Sequence, residues 1–199
     1  RCEAFLDSIQ NRGADYKLQV AKKINEKSFC PSPSVILSSS RISLHSSRTI
    51  YIPRMSDHAF AIAAAFEHCG VKAEVLPESD KIAADIGRKH VSGKECYPCT
   101  VTTGDMVKKV LEPDFIPGEN AFFMPSGNGP CRFGLYNRFH RMVLDELGFK
   151  NVPIYAPNQD HRLYRDCNIL GGRFSRLGWK AVVATDLLSK MYHQVRPYE

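Results

Sequence analysis

Four cysteines in the second half of the chain have residue types and spacing that suit metal or redox chemistry. They are Cys96 and Cys99, which form a C-x-x-C motif in GKECYPC, Cys131 in PCRFG, and Cys167 in YRDCNIL. A turn can bring two thiolates three residues apart to the same side, where both reach one metal ion or one pair of cluster irons. Soft thiolate ligands select zinc or iron–sulfur sites over magnesium or calcium.

The C-x-x-C motif alone leaves several interpretations open. No second C-x-x-C and no H-x-x-x-H pair completes a zinc ribbon or finger, which weighs against a structural zinc domain. A redox dithiol usually opens a helix straight after a strand, whereas we predict a helix and a Gly-Lys loop ahead of this motif. The remaining interpretation is that the thiols are small buried apolar groups. That interpretation is favoured for Cys69, and Cys2 and Cys30 are expected to be incidental.

Size, composition and charge indicate an ordinary soluble protein. The 199 residues are 43% apolar, no apolar run reaches 18 residues, and the first residues, RCEAFLDSIQ, resemble no export or transit signal. We therefore expect a cytoplasmic protein without a membrane span, in which a reducing environment disfavours disulfides among its seven cysteines. Of the net charge of +6, residues 1–48 carry eight Lys/Arg against four Asp/Glu. No basic run stands beside stacking aromatics, so we predict no nucleic-acid partner.

The elements that must position the cysteines are predicted only beyond residue 48. Residues 1–48 have weak helical periodicity followed by a Ser-rich stretch with two prolines, which predicts a linker or a poorly ordered segment. Residues 49–199 alternate strands with helices and are predicted to form one domain, an α/β fold with a mainly parallel sheet. Predicted strands are RTIYIPRM, VKAEVLP, NAFFMPSGNGP and VPIYAPN. Ligands of such sheets bind at the carboxyl ends of the strands, where the cysteine loops fall.

The predicted helices carry the local signals for their ends. The first runs from a cap at Ser56 or Asp57 to Gly70, with Phe60, Ala64 and Cys69 on its inner face. The others cover 82–90, the TTGDMVKKVL stretch with Thr103 as a cap, 133–147 and 178–195, although the VVAT part of the last one suits a strand as well.

Three stretches of this sequence resemble a known family. SGKECYPCTVTTGDMVK, AFFMPSGNGPCRFGLYNRFHRMVLDELGF and the closing VRPYE are similar to the C-terminal part of CoA-substrate-specific enzyme activase-related proteins. That part is in turn similar to the subunits of 2-hydroxyacyl-CoA dehydratases and to double-cubane cluster reductases. The resemblance runs from about Arg48 to Glu199.

The resemblance implies a Rossmann-like, three-layer iron–sulfur domain that is a truncated part of a larger multi-domain subunit. It implies a 4Fe–4S or related cluster, low-potential single electrons from an ATP-dependent activator, an acyl-CoA substrate and a second subunit. Matching the motifs assigns the ligands to Cys96 or Cys99 and to Cys131, with a looser match at Cys167. Family subunits are longer and supply a further cysteine from a later domain. Because the ATPase portion has no counterpart here, ATP hydrolysis is not predicted.

Residues around Cys131 are further candidates. Gly127 and Gly129 can let backbone N–H groups approach cluster sulfides or a thioester, or can simply form a strand-to-helix turn. Arg132, Asn137 and Arg138 can hold a CoA phosphate, or can be ordinary solvated side chains. His140 is expected to be a hydrogen-bonded helix histidine.

The sequence thus predicts an iron–sulfur cluster-binding domain of a dehydratase-like or CoA-activase-related protein, active in electron transfer and not complete by itself. The alternative is a non-catalytic α/β scaffold or binding domain with buried thiols and no cluster.

Overall fold

The computed structural model describes residues 48–160, Leu163, Cys167 and residues 172–198. The linker predicted over 1–48 therefore lies outside the described residues, apart from Arg48. The described strands are β1 Thr49–Ile52, β2 Ala73–Val75, β3 Asn120–Phe123, β4 Ser126–Gly127, β5 Ile154–Tyr155 and β6 Asn158–Gln159. The helices are α1 His58–His68, α2 Lys81–Arg88, α3 Tyr97–Val110, α4 Tyr136–Glu146 and α5 Gly172–Val195, with short 3-10 turns at Arg132–Leu135 and Arg196–Tyr198. None of these described helices is long and apolar enough to cross a membrane.

A four-stranded parallel sheet forms the centre of the fold and confirms the predicted α/β class. The strand order is β2-β1-β3-β5, and Ile50 of β1 pairs with Ala73 on one side and Ala121 on the other. The chain builds β2 on one side of β1 and then crosses to the opposite side for β3. The carboxyl ends of β1 and β3 therefore flank the point where the strand order reverses, as in Rossmann-like folds.

Two prolines interrupt the pairing of β3 with β5 and create a second short ladder. Pro125 and Pro157 have no N–H to donate, so the ladder breaks there. It resumes in the same register as β4 and β6, where the Ser126 N–H donates to the Pro157 carbonyl at 3.0 Å. The parallel pair thus extends beyond the sheet into the loop that carries Cys131.

Side chains alternate along the strands and fill two separate cores, one on each face of the sheet. Tyr51, Phe122 and Ile154 point to the core under α3 and α4, which we call the α3–α4 face. The residues next to them, including Ile50 and Phe123, point to the core under α1 and α5, the α1–α5 face. This is the three-layer arrangement predicted from the sequence.

Helices α2 and α3 approach each other closely because a glycine lies on each side of the contact. A Cβ added at Gly104 would lie 1.7 Å from the carbonyl oxygen of Ala83, and one at Gly87 would lie 1.9 Å from that of Thr100. The contact depends on backbones touching directly. It fixes α3 and, with it, the position of the C-x-x-C motif.

Two local predictions were wrong. The third helix begins at Tyr97, so the C-x-x-C motif lies in its first turn, and Thr103 is no cap because its hydroxyl donates to the carbonyl of Cys99 at 2.7 Å inside the helix. In α1, Phe60 and Ala64 are exposed, whereas Cys69 is half-buried and packs against the core of the α1–α5 face as expected. The buried side of α1 is instead an alanine stripe ending at Phe66, which fits the close approach of α5 at Gly178. The VVAT stretch is helical throughout.

Candidate functional site

The first turn of α3 presents the two thiols of the C-x-x-C motif in different surroundings. Cys96 occupies the N-cap position with an extended backbone, and Pro98 follows in the first turn, where a helix needs no N–H. The Cys96 side chain is half-buried, whereas Cys99 is 3% exposed within the core of the α3–α4 face. The motif thus has an outer thiol at the helix end and an inner thiol in the core.

The loop before α3 is held by the carboxylate of Glu95. It accepts hydrogen bonds from the backbone N–H groups of Ser92 at 2.8 Å and Lys94 at 3.1 Å, and from the Ser92 hydroxyl. Partial burial alone would raise the pKa of Glu95, but these hydrogen bonds outweigh it and lower the pKa. The ionised carboxylate therefore shapes the approach to Cys96.

The loop that carries Cys131 folds back on β4. The Ser126 hydroxyl donates to the carbonyl of Gly134 at 3.0 Å, and a Cβ at Gly134 would lie 2.1 Å from the Gly127 carbonyl oxygen. Glycine is therefore required at 134. This close contact holds the turn Arg132–Leu135 against the strand and leaves Cys131 exposed just before it.

Two side chains join the cysteine loops. The Tyr136 hydroxyl lies 2.6 Å from Sγ of Cys96, and an Nη atom of Arg132 donates to the carbonyl of Lys94. Burial raises the pKa of Tyr136 well above its ordinary value, as do the hydrogen bond to Cys96 and the nearby thiols of Cys96, Cys99 and Cys131. The loop before α3 and the segment from Arg132 to Tyr136 are thus joined by two contacts.

The buried thiol, Cys99, is poorly suited to bind a metal ion. Burial raises the pKa of the Cys99 thiol to about 11, and the neighbouring Cys96 adds to the effect. Cys99 therefore keeps its proton at neutral pH, whereas metal ligation requires the thiolate. Within the described ranges, no group of three or more His, Cys, Asp or Glu side chains is arranged to hold a metal ion. The accessible pair is Cys96 and Cys131.

Some of the other predicted site residues lie near the two cysteine loops, and some lie elsewhere in the fold. Cys167 packs against the core of the α1–α5 face, so the sheet separates it from the other three cysteines. Gly127 and Gly129 line the Cys131 loop, and a Cβ at Gly129 would meet nothing within 4 Å. Arg132 contacts the Lys94 carbonyl, and Arg138 is exposed on the first turn of α4. The structure brings Cys96, Cys99, Cys131 and Arg132 together and leaves Cys167 apart.

Sequence reasoning took Tyr136 only for an apolar helix position. Its partner Cys96 lies 40 residues earlier, and no spacing signals such a contact. Only the packing of α4 beside α3 brings the two together.

His140 lies below this contact, fully buried. Its Nε2 lies 3.1 Å from the Thr102 hydroxyl, which itself donates to the Pro98 carbonyl at 2.8 Å, so Nε2 carries the proton. Its Nδ1 has no hydrogen-bond partner among the described residues. Burial lowers the pKa of His140 to about 3, although the Cys99 carbonyl opposes this. The expectation of a hydrogen-bonded helix histidine is met at one ring nitrogen.

Comparisons with known proteins gave no match: no family model, no curated protein and no solved structure matches this chain. The resemblance to activase-related proteins therefore stays a prediction. The candidate site depends on its geometry, that is, on two cysteine-bearing loops joined at the carboxyl edge of a parallel sheet.

Proposed function

We propose that this chain is an iron–sulfur cluster-binding domain of a 2-hydroxyacyl-CoA dehydratase-like or CoA-activase-related protein. One observation carries the proposal. Cys96, one of the two cysteines of the first family-like motif, and Cys131 of the second come from segments that are joined by the Tyr136–Cys96 contact and by Arg132. Both thiols are at least partly exposed. Thiolates converging from two loops are the donor type that iron–sulfur clusters use.

The donor set fits a cluster in part. Cys96 and Cys131 would be the ligands from this chain, while Cys99 belongs to the apolar core and Cys167 to the opposite face of the sheet. A cluster bound by four cysteines needs further thiolates. In this proposal they come from a second subunit or from a later domain.

The residues around the pair are suited to a negatively charged group. Cys96 lies at the N-terminus of α3, where the helix dipole stabilises negative charge. Arg132 directly follows Cys131. A bound cluster supplies one-electron redox chemistry, and an ATP-dependent activator would be the electron donor. An acyl-CoA would be the substrate of the assembled protein, with the exposed guanidinium of Arg138 available to a phosphate.

A second candidate function is a non-catalytic α/β scaffold or binding domain without a cluster. The observation that favours it is the position of Cys99, which is buried among apolar side chains and keeps its proton. In this candidate the C-x-x-C motif serves packing, and the chain binds a partner protein through its surface.

Iron and acid-labile sulfide, measured per chain after purification without oxygen, separate the two candidates. We expect stoichiometric iron in the wild type, loss of most of it in Cys96→Ser and in Cys131→Ser, and wild-type iron in Cys69→Ser. Cys99→Ser is the matched inner-thiol variant and should keep its iron. Equal iron in all four variants would refute the ligand assignment, and no iron after reconstitution would favour the scaffold.

A further inference from the structure

The C-x-x-C motif has features that a cluster does not require. Its outer thiol, Cys96, is half-buried at the N-cap of α3, and its inner thiol, Cys99, lies one turn further on at 3% exposure. The outer thiol is therefore at the solvent-facing end of the helix, and the inner thiol is within the core. The sequence weighed against redox chemistry because a helix and a loop, and not a strand, come before the motif, and α2 does come before it. The position of the motif in the first turn of α3 was not predicted.

The spacing of the two residues suits a disulfide. The two cysteines belong to the same first turn, since the Thr100 N–H donates to the Cys96 carbonyl at 3.2 Å, and a C-x-x-C spacing of this kind is the one that disulfide oxidoreductases use. Cys131 is held by a different loop, so its distance from Cys96 is not set by a single helical turn.

The surroundings give the two thiols different roles. Cys96 can be reached from solvent, and the Tyr136 hydroxyl at 2.6 Å can donate a hydrogen bond to its thiolate. Cys99 contacts core side chains and is shielded from any bulky reagent. A disulfide from outside can therefore react at Cys96, whereas Cys99 can react only with a sulfur already attached at that position.

We propose that, in the chain without a cluster, Cys96 and Cys99 form a thiol–disulfide exchange couple with Cys96 as the attacking thiol and Cys99 as the resolving thiol. The co-reactant is an external disulfide. This activity does not depend on the proposed cluster, because cluster binding and disulfide formation are alternative uses of the Cys96 sulfur.

The exchange is balanced over two steps. The Cys96 thiolate attacks one sulfur of the external disulfide, a new S–S bond forms, and the other sulfur leaves as a thiolate that takes up a proton. The Cys99 thiol then loses its proton and attacks the Cys96 sulfur, which releases the second external thiol. The chain loses two hydrogens to form the Cys96–Cys99 disulfide, and one external disulfide becomes two thiols.

The test uses the full 199-residue chain, freed of iron with a chelator, reduced, and then incubated with oxidised glutathione. Thiols are trapped by alkylation at intervals, and peptide mapping by mass spectrometry locates every linkage. We expect a Cys96–Cys99 disulfide in the wild type and complete loss of that linkage in two variants. Cys96→Ser should form neither the intramolecular disulfide nor a mixed disulfide with glutathione at this motif. Cys99→Ser should stop at a Cys96–glutathione mixed disulfide.

Matched variants distinguish this couple from general thiol reactivity. Cys69→Ser should behave as the wild type does, and Cys99→Ala should repeat the result of Cys99→Ser if serine disturbs folding. Circular dichroism checks the fold of each variant. A Cys96–Cys131 linkage, or a wild type that stops at the mixed disulfide, would overturn the proposal. Since the assay is done without iron, its result is independent of the iron measurements above.

Discussion

The two faces of the sheet are built from different kinds of residues. Under α1 and α5, the described core consists of alanines, aliphatic side chains and an aromatic group centred on Phe66, whose ring lies 4.6 Å from that of Phe174. Under α3 and α4, the buried residues include Thr102, Asp105 and His140 beside the apolar side chains. The core of the first face is apolar, and His58 of α1 contacts Asp186 of α5 at 2.8 Å outside it. The second face also carries hydrogen-bonded polar groups in its core, beneath the cysteines.

This difference between the two faces indicates that reactive groups are held on the α3–α4 face. Buried hydroxyls of α3 donate back to carbonyls of the helix, as Thr102 does to Pro98 and Thr103 to Cys99. These bonds cost little because every donor finds an acceptor nearby. They hold the first turn of α3, and with it the outer thiol, in one position. The α1–α5 face has one partly buried thiol on α1, Cys69, at a helix end away from the cysteine loops.

The largest effect on stability is expected from a substitution in the core of the α1–α5 face. Replacing Phe66 with alanine should lower the free energy of unfolding by about 3–5 kcal/mol, because the side chain is fully buried and its loss leaves a cavity. Denaturant unfolding measures the change. Phe60→Ala, in the same helix but 52% exposed, is the matched control and should cost much less. Similar losses in both variants would contradict this account of the α1–α5 core.

A second substitution should disturb the packing of the α3–α4 face, which carries the cysteine loops. Gly104→Ala places a Cβ against the backbone of α2, and we expect a loss of about 1–3 kcal/mol in the free energy of unfolding. Because α3 must shift, alkylation of Cys99 should become faster. Gly129→Ala, where the added Cβ has open space, should change neither quantity. Slow alkylation of Cys99 in a destabilised Gly104 variant would show that the contact does not position the motif.

The pH dependence of stability should reflect the buried imidazole on the same face. The pKa of His140 is lowered from 6.5 to about 3, so above pH 6.5 the ring is neutral in both states and contributes no slope. As the pH falls from 6.5, the unfolded chain binds a proton that the folded chain does not. This group should then remove about 1.4 kcal/mol of stability per pH unit.

Unfolding measured from pH 6.5 down to about 4 tests this expectation. His140→Gln should show a shallower loss than the wild type, while His68→Gln, an exposed histidine at the end of α1, should keep the wild-type slope. His90, also buried and with its pKa lowered to about 4, contributes in the same direction and stays present in both variants. Parallel slopes for His140→Gln and the wild type would contradict the expectation.

The smallest effect concerns the contact between the two loops. Tyr136→Phe removes the hydroxyl beside the Cys96 sulfur, so the thiolate loses one hydrogen-bond donor worth about 0.5–1.5 kcal/mol. Alkylation of Cys96 by iodoacetamide should slow about two- to tenfold, as followed by peptide mapping. Tyr97→Phe, which changes an exposed neighbouring ring, should leave the rate unchanged. A faster reaction in Tyr136→Phe would mean that the hydroxyl shields the thiol more than it stabilises the thiolate.

Most of the fold could be predicted from local patterns. The strand of β1, for example, is a short β-branched and aromatic run, and α4 has apolar residues at helical spacing up to Gly148, whose φ of 86° favours glycine. The start of α3 was missed because two threonines near its middle suggested a cap. The helix cap in this part of the chain belongs to α2: the carboxylate of Asp80 accepts a hydrogen bond from the Ala83 N–H at 2.7 Å. The inner face of α1 was missed because nearly every position in that helix is apolar, and periodicity then gives no direction.

What the sequence by itself determined was the order of elements, the parallel α/β class, and the cysteines worth examining. Those conclusions depend on interactions between near neighbours in the chain, which local patterns record. The tertiary structure alone decided that Tyr136 contacts Cys96 and that Arg132 joins the Cys131 loop to the loop before α3. It also decided that Cys99 faces the core and that Cys167 packs on the other face. Such contacts join residues tens of positions apart, and they arise only when the helices pack on the sheet and bury their apolar sides.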